Sequence, residues 1–250
     1  MAQFHDHFSS VAEQYASFRP RYPAALFDYL AALCPERRLA WDCACGSGQA
    51  SVPLGDRFES VLATDASAAQ VAAASTHPRV RYQVARAEQS GLESSSADLV
   101  TVAQALHWLE LASFYAEVTR VLRPGGVLAV WTYGSPHSAV PPIESVLARF
   151  LSEMIGPYWP PERALVDSGY RTLPFPFPEL APPEFAIEQR WSLPHLLGYV
   201  RSWSATSRYL ARHGVDPVSA LEASLQAPWG APQTTHLIRW PLSMRLGRRP

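Results

Sequence analysis

The chain has 250 residues, 48% hydrophobic and 17% charged, enough for one full α/β core with additions and too apolar for a disordered chain. Its formal net charge of −1 argues against a general nucleic-acid binder. All 21 cationic residues are arginine, which excludes a lysine Schiff base and a Walker-type phosphate lysine.

Cys34, Cys43 and Cys45 give neither a disulfide framework nor zinc-ligand spacing, and no metal site is expected. Cys43 and Cys45 read as small wall residues of a loop. Met1–Ser10 is polar and does not read as a secretory signal. No apolar run reaches membrane-spanning length. A cytoplasmic protein is expected.

In chain order, Phe4, Phe8, Val11, Ala12, Tyr15 and Phe18 recur at helical spacing. Arg19-Pro20-Arg21-Tyr22-Pro23 breaks that helix. A second one follows from Pro23, with Leu26, Phe27, Leu30 and Leu33 on one face. Both precede the first strand and are expected to form a lid over its carboxyl end, spanning 1–38. Tyr15, Arg19 and Tyr22 either anchor that lid or touch a ligand.

Leu39-Ala40-Trp41-Asp42 reads as a strand entering a small-residue turn, Cys43-Ala44-Cys45-Gly46-Ser47-Gly48, and then a helix over Gln49–Phe58. Such a turn passes close beneath a ligand, and Gly46 and Gly48 leave room for the approach. The spacing is not that of the dinucleotide fingerprint G-x-G-x-x-G. Ser60–Asp65 is a second strand ending in an acid about 20 residues on, where a carboxylate accepts two adjacent ribose hydroxyls. Asp65 can also cap the helix expected over Ala66–Ala74.

Val80–Val84 alternates as a third strand, followed by Ala85-Arg86-Ala87-Glu88-Gln89. Asp98–Ala103 is nearly continuous and apolar, as a central parallel strand should be. It runs into Gln104-Ala105-Leu106-His107-Trp108, a polar and aromatic cluster where open α/β sheets bind ligands. An amphipathic helix over Leu111–Leu122 stops at Arg123-Pro124-Gly125-Gly126, before a fifth strand, Val127–Trp131. Pro136 to Pro183 interleaves proline with Phe150, Met154, Tyr158, Trp159, Tyr170, Phe175 and Phe177, which suits an apolar pocket or a small cap's own core. Leu196–Ala211 reads as one helix, with Arg201 and Trp203 as pocket candidates.

Together the strand–helix segments, the acid–glycine loop, Asp65, the Gln104–Trp108 cluster and Leu122-Arg123-Pro124-Gly125-Gly126 resemble the class I S-adenosylmethionine (SAM)-dependent methyltransferases. More narrowly they resemble the branch around trans-aconitate methyltransferase, whose lid start is similar to Phe8, Tyr15, Arg19, Pro20, Tyr22 and Pro23. The resemblance covers most of 4–134, with two departures: Ala44 in place of a first glycine, and Arg86 where an acid is common.

The resemblance implies an α/β, Rossmann-like, seven-stranded, mostly parallel sheet with helices on both faces. It adds an N-terminal helical lid (1–38), a SAM-binding core (39–134), an inserted cap (135–183) and a C-terminal part (184–250). The last two strands fall at Glu184–Leu193 and His236–Leu246, the final one antiparallel, with Pro241 placing it at an edge or bulge. By the same resemblance Asp42, Ala44, Gly46 and Gly48 hold the methionine part of SAM, Asp65 with Ala66 the ribose, and Ala87 with Glu88 the adenine. Gln104 lies under the methionine, and Tyr15 and Arg19 close over it. Tyr22, Trp108, Trp131, Tyr133 and Arg201 face the acceptor.

The implied reaction is methyl transfer to a small molecule, first a carboxylate, which needs no base and is recognised by an arginine among Arg19, Arg163, Arg171 and Arg201. Phenol, amine or thiol acceptors are the alternative, with His107 as base. A non-catalytic SAM-fold protein and a nicotinamide-dependent oxidoreductase are the other readings. The expected partner is a small molecule, with no nucleic acid or membrane, and the protein is expected as a monomer or homodimer.

Overall fold

The structure, a computed structural model, describes residues 20–250. The expectations for the first helix, and for Tyr15 and Arg19, lie outside the described residues.

Strands β1 (Leu39–Cys43), β2 (Ser60–Asp65) and β4 (Ala97–Ala103) are buried almost throughout, because they are covered on both faces. They pair in parallel in the order β3-β2-β1-β4-β5, with β3 spanning Val80–Val84 and β5 Leu122–Tyr133. β9 (His236–Arg248) runs antiparallel along β5, and β8 (Phe185–Trp191) antiparallel along β9. These seven long strands form the expected sheet. Two-residue strands β6 (His137–Ser138) and β7 (Glu179–Leu180) also pair with β9.

Pro241 corrects one expectation. Its strand is internal, not an edge. One side of β9 pairs with β6 at Ile238 and Arg239 and with β5 from Leu242 onward. Pro241 falls between those two ladders, where its missing N–H breaks no bond. Similarly, Arg123-Pro124-Gly125-Gly126 lies inside β5 rather than ahead of it. Arg123 holds that entry, with Nε 2.7 Å from buried Asp98 and Nη1 2.7 Å from Glu36.

Alternate residues of the strands face opposite layers. Ala40, Val61, Leu99, Val127, Ala129 and Trp131 pack with helix α1 (Ala24–Ala32) and α2 (Ser51–Gly55). Trp41, Leu62, Val100, Leu128 and Val130 pack with α4 (Leu111–Val121) on the other face. The described half of the expected lid is therefore a layer of the sheet: Leu26, Phe27 and Leu30 of α1 are wholly buried in that core.

The stretch 135–183 does not form a core of its own. Ile143 and Leu147 of α5 (Pro141–Arg149), with Phe150 and Ile155, join a core shared with α7 (Leu193–Arg201), α8 (Ser204–His213) and α9 (Pro217–Trp229). From α6 (Arg163–Asp167) onward the chain returns to the sheet, where Val166, Tyr170 and Phe177 join the layer of α4. The single helix expected over 196–211 is broken at Ser202 and Trp203. Ser202 Oγ donates to the Tyr199 carbonyl and Thr206 Oγ1 to that of Val200, so hydroxyls occupy acceptors at the junction. No helix among the described residues is long and apolar enough to cross a membrane.

Candidate active site at the carboxyl ends of the strands

The parallel strands deliver their carboxyl ends to one rim, where two clusters form. The first is built on β1 and β2. Asp42 is wholly buried and accepts from Ser51 Oγ at 2.5 Å and Thr101 Oγ1 at 2.8 Å. Burial pushes its carboxyl up to about 6, against those two hydrogen bonds and with help from Asp65. Both Asp42 oxygens are thus already engaged, and its carboxyl ties the start of the loop to Ser51 and Thr101.

Beyond it the backbone turns sharply. Ala44, Gly46 and Gly48 have φ of +54°, +55° and +90°. The left-handed conformation costs an alanine about 1–2 kcal/mol and a glycine almost nothing. Ala44 thus adopts the conformation of the glycine it replaces. A Cβ at Gly48 would lie 2.1 Å from the Tyr82 hydroxyl, which donates to the Ser75 carbonyl.

Asp65 ties this loop to β2: Oδ2 accepts from Gly46 N at 2.9 Å and Oδ1 from Ser67 N at 2.8 Å. Each oxygen keeps a lone pair for a ribose hydroxyl. The capping role belongs to Ser67, whose hydroxyl accepts from Gln70 N at the start of α3 (Ala68–Ala72). Ala66 is half-buried beside it. Ala85 N donates to the Asp65 carbonyl and brings the Ala87 and Glu88 segment alongside. Ala87 is buried, and Glu88 lines a cleft of about 400 Å³ with Arg86, Gln89, Glu110 and Ser113.

This cluster is acidic. Burial, then Asp42, Asp65 and Glu88, push the Cys43 thiol up, and burial, Asp42 and Asp65 do the same for Cys45. Both stay protonated and serve as wall residues. Carboxylates for a diol, and negative potential for a sulfonium and an ammonium, are the donor set SAM requires, so the residues present fit that cofactor.

The second cluster is built on β4 and β5. Gln104 has φ +58°. Its Nε2 donates to the Tyr133 carbonyl at 3.0 Å, and its Oε1 accepts from Tyr133 N at 3.1 Å and from the Thr132 hydroxyl. The Gln104 side chain is thus committed to β5, and its N–H donates to the Trp131 carbonyl at 2.9 Å. His107 Nδ1 lies 2.7 Å from the Tyr170 hydroxyl, and the Trp108 ring 4.6 Å from the imidazole. Burial, more than Arg163 and against Glu162, lowers His107 to about 4, so it is neutral at pH 7.

Trp108 is 41% exposed and forms a rim. Trp131 is wholly buried against Tyr22 and Phe27, and Tyr133 enters the site through its backbone, its ring being buried near Tyr22. Arg201 is not brought to this cluster: it pairs with Asp216 at 3.2 Å and Glu222 at 3.7 Å. The nearby arginine is Arg163, bound to Asp167 and Ser135 and 4.4 Å from the Trp159 ring. Sequence reading missed Thr101, Ser51 and Thr132, and named Tyr170 only among the aromatics of a pocket or cap core. Thr101 and Thr132 had a signal, a lone hydroxyl in an apolar strand; nothing in the sequence pairs Tyr170 with His107.

Comparison with known proteins agrees with this geometry. A methyltransferase domain model matches residues 41–130. A Dictyostelium discoideum protein named as a methyltransferase is 34% identical over 230 residues, 89% of this chain and 86% of its own. One from Saccharomyces cerevisiae, named as SAM-dependent, is 29% identical over 49% of this chain and 45% of its own. A solved structure from Anaeromyxobacter dehalogenans, described as a type II methyltransferase, superposes with a TM-score of 0.88 at 47% identity, covering 92% of this chain and 97% of that one. Strand order, acidic loop and relatives agree: the chain belongs to the class I S-adenosylmethionine-dependent methyltransferases.

Proposed function

We propose that this enzyme methylates a small molecule at a hydroxyl oxygen and that His107 receives the hydroxyl proton. The observation that carries this reading is a neutral, half-buried imidazole at the end of β4 whose Nδ1 is engaged by Tyr170, leaving Nε2 for the acceptor.

When bound, SAM supplies a methyl group activated on a sulfonium. Asp65 and Glu88 would bind the ribose and adenine, Asp42 would favour the positive charge, and the Gln104 backbone would border the methionine. Aligning nucleophile and methyl is worth about 7–11 kcal/mol, so holding both partners is most of the chain's task. The remaining task is the proton. A hydroxyl oxygen becomes strongly acidic as its new bond to carbon forms, and a base as weak as His107 then suffices. An ammonium product keeps its proton up to a pKa of about 10, which such a base does not take. The geometry therefore favours oxygen over nitrogen.

A second reading, carboxylate methylation, is supported by Arg163 near His107. A carboxylate has no proton to give, so His107 would be indifferent. Transfer of a labelled methyl from SAM to matched phenols, carboxylic acids and amines separates the two. Faster transfer to phenols, cut about 100-fold by His107→Ala, supports the hydroxyl reading. Transfer to acids alone, unaltered by that change, replaces it with the carboxylate one.

A further inference from the structure

We propose that Arg163 recognises the acceptor by taking a carboxylate on it, so that the molecule methylated is a hydroxy acid whose hydroxyl meets His107 and whose carboxylate meets Arg163. The hydroxyl end of this statement rests on the reading of His107 given above; the carboxylate end does not.

Arg163 opens α6 and lies at the carboxyl end of β5, the strand beside the one that delivers His107. Its Nη2 donates at 3.0 Å to the hydroxyl of Ser135, just beyond Tyr133, and a Cβ on Gly134 would lie 3.7 Å from the same nitrogen. The backbone of Tyr133 is in turn bonded to Gln104, which precedes His107 at the end of β4. Within α6, the Leu165 carbonyl accepts from Tyr170 N at 2.9 Å, and the Tyr170 hydroxyl lies 2.7 Å from His107 Nδ1. Both tethers bring the guanidinium to the rim that carries the imidazole, and His107 feels the charges of Arg163 and the adjoining Glu162.

The guanidinium is held firmly and only partly used. Nε donates to Asp167 Oδ1 at 2.7 Å, and the guanidinium carbon lies 4.4 Å from the centre of the Trp159 ring. Trp159 is backed by the buried Trp203, 5.7 Å away. The Arg163 side chain is only 17% exposed. Yet none of the described residues accepts from Nη1, which is open to solvent. An arginine keeps its charge at every working pH and presents a planar set of donors that matches a carboxylate. Fixed at Nε, at Nη2 and on one face, Arg163 offers that set with its orientation already determined. Asp167 is 56% exposed, so water screens its charge, and its bond orients the guanidinium more than it neutralises it. With Glu162 and Asp167 alongside there is no positive excess, so the acid is selected by direct contact with Nη1. Arg171, which is exposed, and Arg201, paired with Asp216 and Glu222, have no such setting.

The test is calorimetry on the full chain saturated with S-adenosylhomocysteine. It is titrated with small hydroxy acids, aromatic and aliphatic, para-hydroxybenzoate among them, each against the carboxamide of the same shape. The acids that bind should do so at least ~10-fold more tightly than their amides. Arg163→Gln should bring that preference within about twofold, with an unchanged S-adenosylhomocysteine affinity as the check on folding. Arg163→Lys keeps the charge but loses the planar fork and the stacking on Trp159, and should weaken acid binding at least about threefold. No binding by any acid, equal affinity for acid and amide in the wild type, or a full preference in a folded Arg163→Gln or Arg163→Lys protein overturns the proposal. The methylated atom is read separately from the product. An ether, with KM rather than kcat changed by Arg163→Gln, supports both ends of the statement. An ester refutes the hydroxyl reading of His107 and leaves the carboxylate contact to be decided by the binding data.

Discussion

The two halves of the site solve different physical problems. The half on β1 and β2 is acidic and lined by backbone: three left-handed residues in five positions, a loop stapled by Asp65, and three carboxylates within electrostatic reach of Cys43. The half on β4 and β5 has a neutral centre of side chains, with Thr132 bonded to Gln104 and His107 to Tyr170. On the proposed reading, one half holds the cationic cofactor and the other presents a histidine lone pair to the acceptor. Binding tolerates a solvated, adaptable surface. Proton acceptance, on the proposed reading, requires a fixed geometry, and Tyr170 beside His107 is buried with φ +61°.

If the division is real, the halves should fail differently. The largest expected effect belongs to the second half: His107→Ala should slow transfer to a hydroxyl acceptor about 100-fold, measured as kcat, because a general base contributes on that scale. Next, Asp65→Ala should weaken S-adenosylhomocysteine binding at least ~10-fold by calorimetry with the fold intact by circular dichroism, since it removes the diol acceptor and frees Gly46 from its staple. Unchanged affinity removes the ribose assignment.

A smaller effect follows from Asp42. Its carboxyl titrates at about 6, so lowering the pH through 6 removes a negative charge. SAM, with its sulfonium, should then lose affinity, and S-adenosylhomocysteine should lose less. Asp42→Asn should flatten the SAM profile across that window; an unchanged profile argues that another group titrates. The smallest effect is Ala44→Gly. Relief of the left-handed alanine outweighs the entropy of a new glycine, and stability should rise by about 0.5–1 kcal/mol, seen as a Tm increase of about 1–4 °C. A fall in Tm would mean that the Ala44 methyl packs usefully.

The same division explains what could be read in the sequence. Asp42, Gly46, Gly48 and Asp65 lie within one strand–turn–helix–strand segment, so a local pattern draws attention to them, and the family resemblance adds their expected roles. The parallel sheet was equally legible, because buried strands are apolar runs separated by turns. The acceptor half is assembled across the fold: His107 meets Tyr170 across 63 positions, and Tyr170 is held by Arg245 across 75. No local pattern encodes such a contact. Arg201 was misjudged for the same reason, since its partners Asp216 and Glu222 are set by how α9 packs on α7. Trp131 and Tyr133 follow β4's cluster in the strand order, yet strand alternation turns their rings into the cores.

The most direct test is one calorimetric series: S-adenosylhomocysteine titrated into the wild type, Asp65→Ala and His107→Ala. The account predicts an affinity loss of at least ~10-fold in Asp65→Ala and a change within about twofold in His107→Ala. Equal losses in both variants, or none in either, would contradict the separation of a cofactor-holding half from a proton-accepting one.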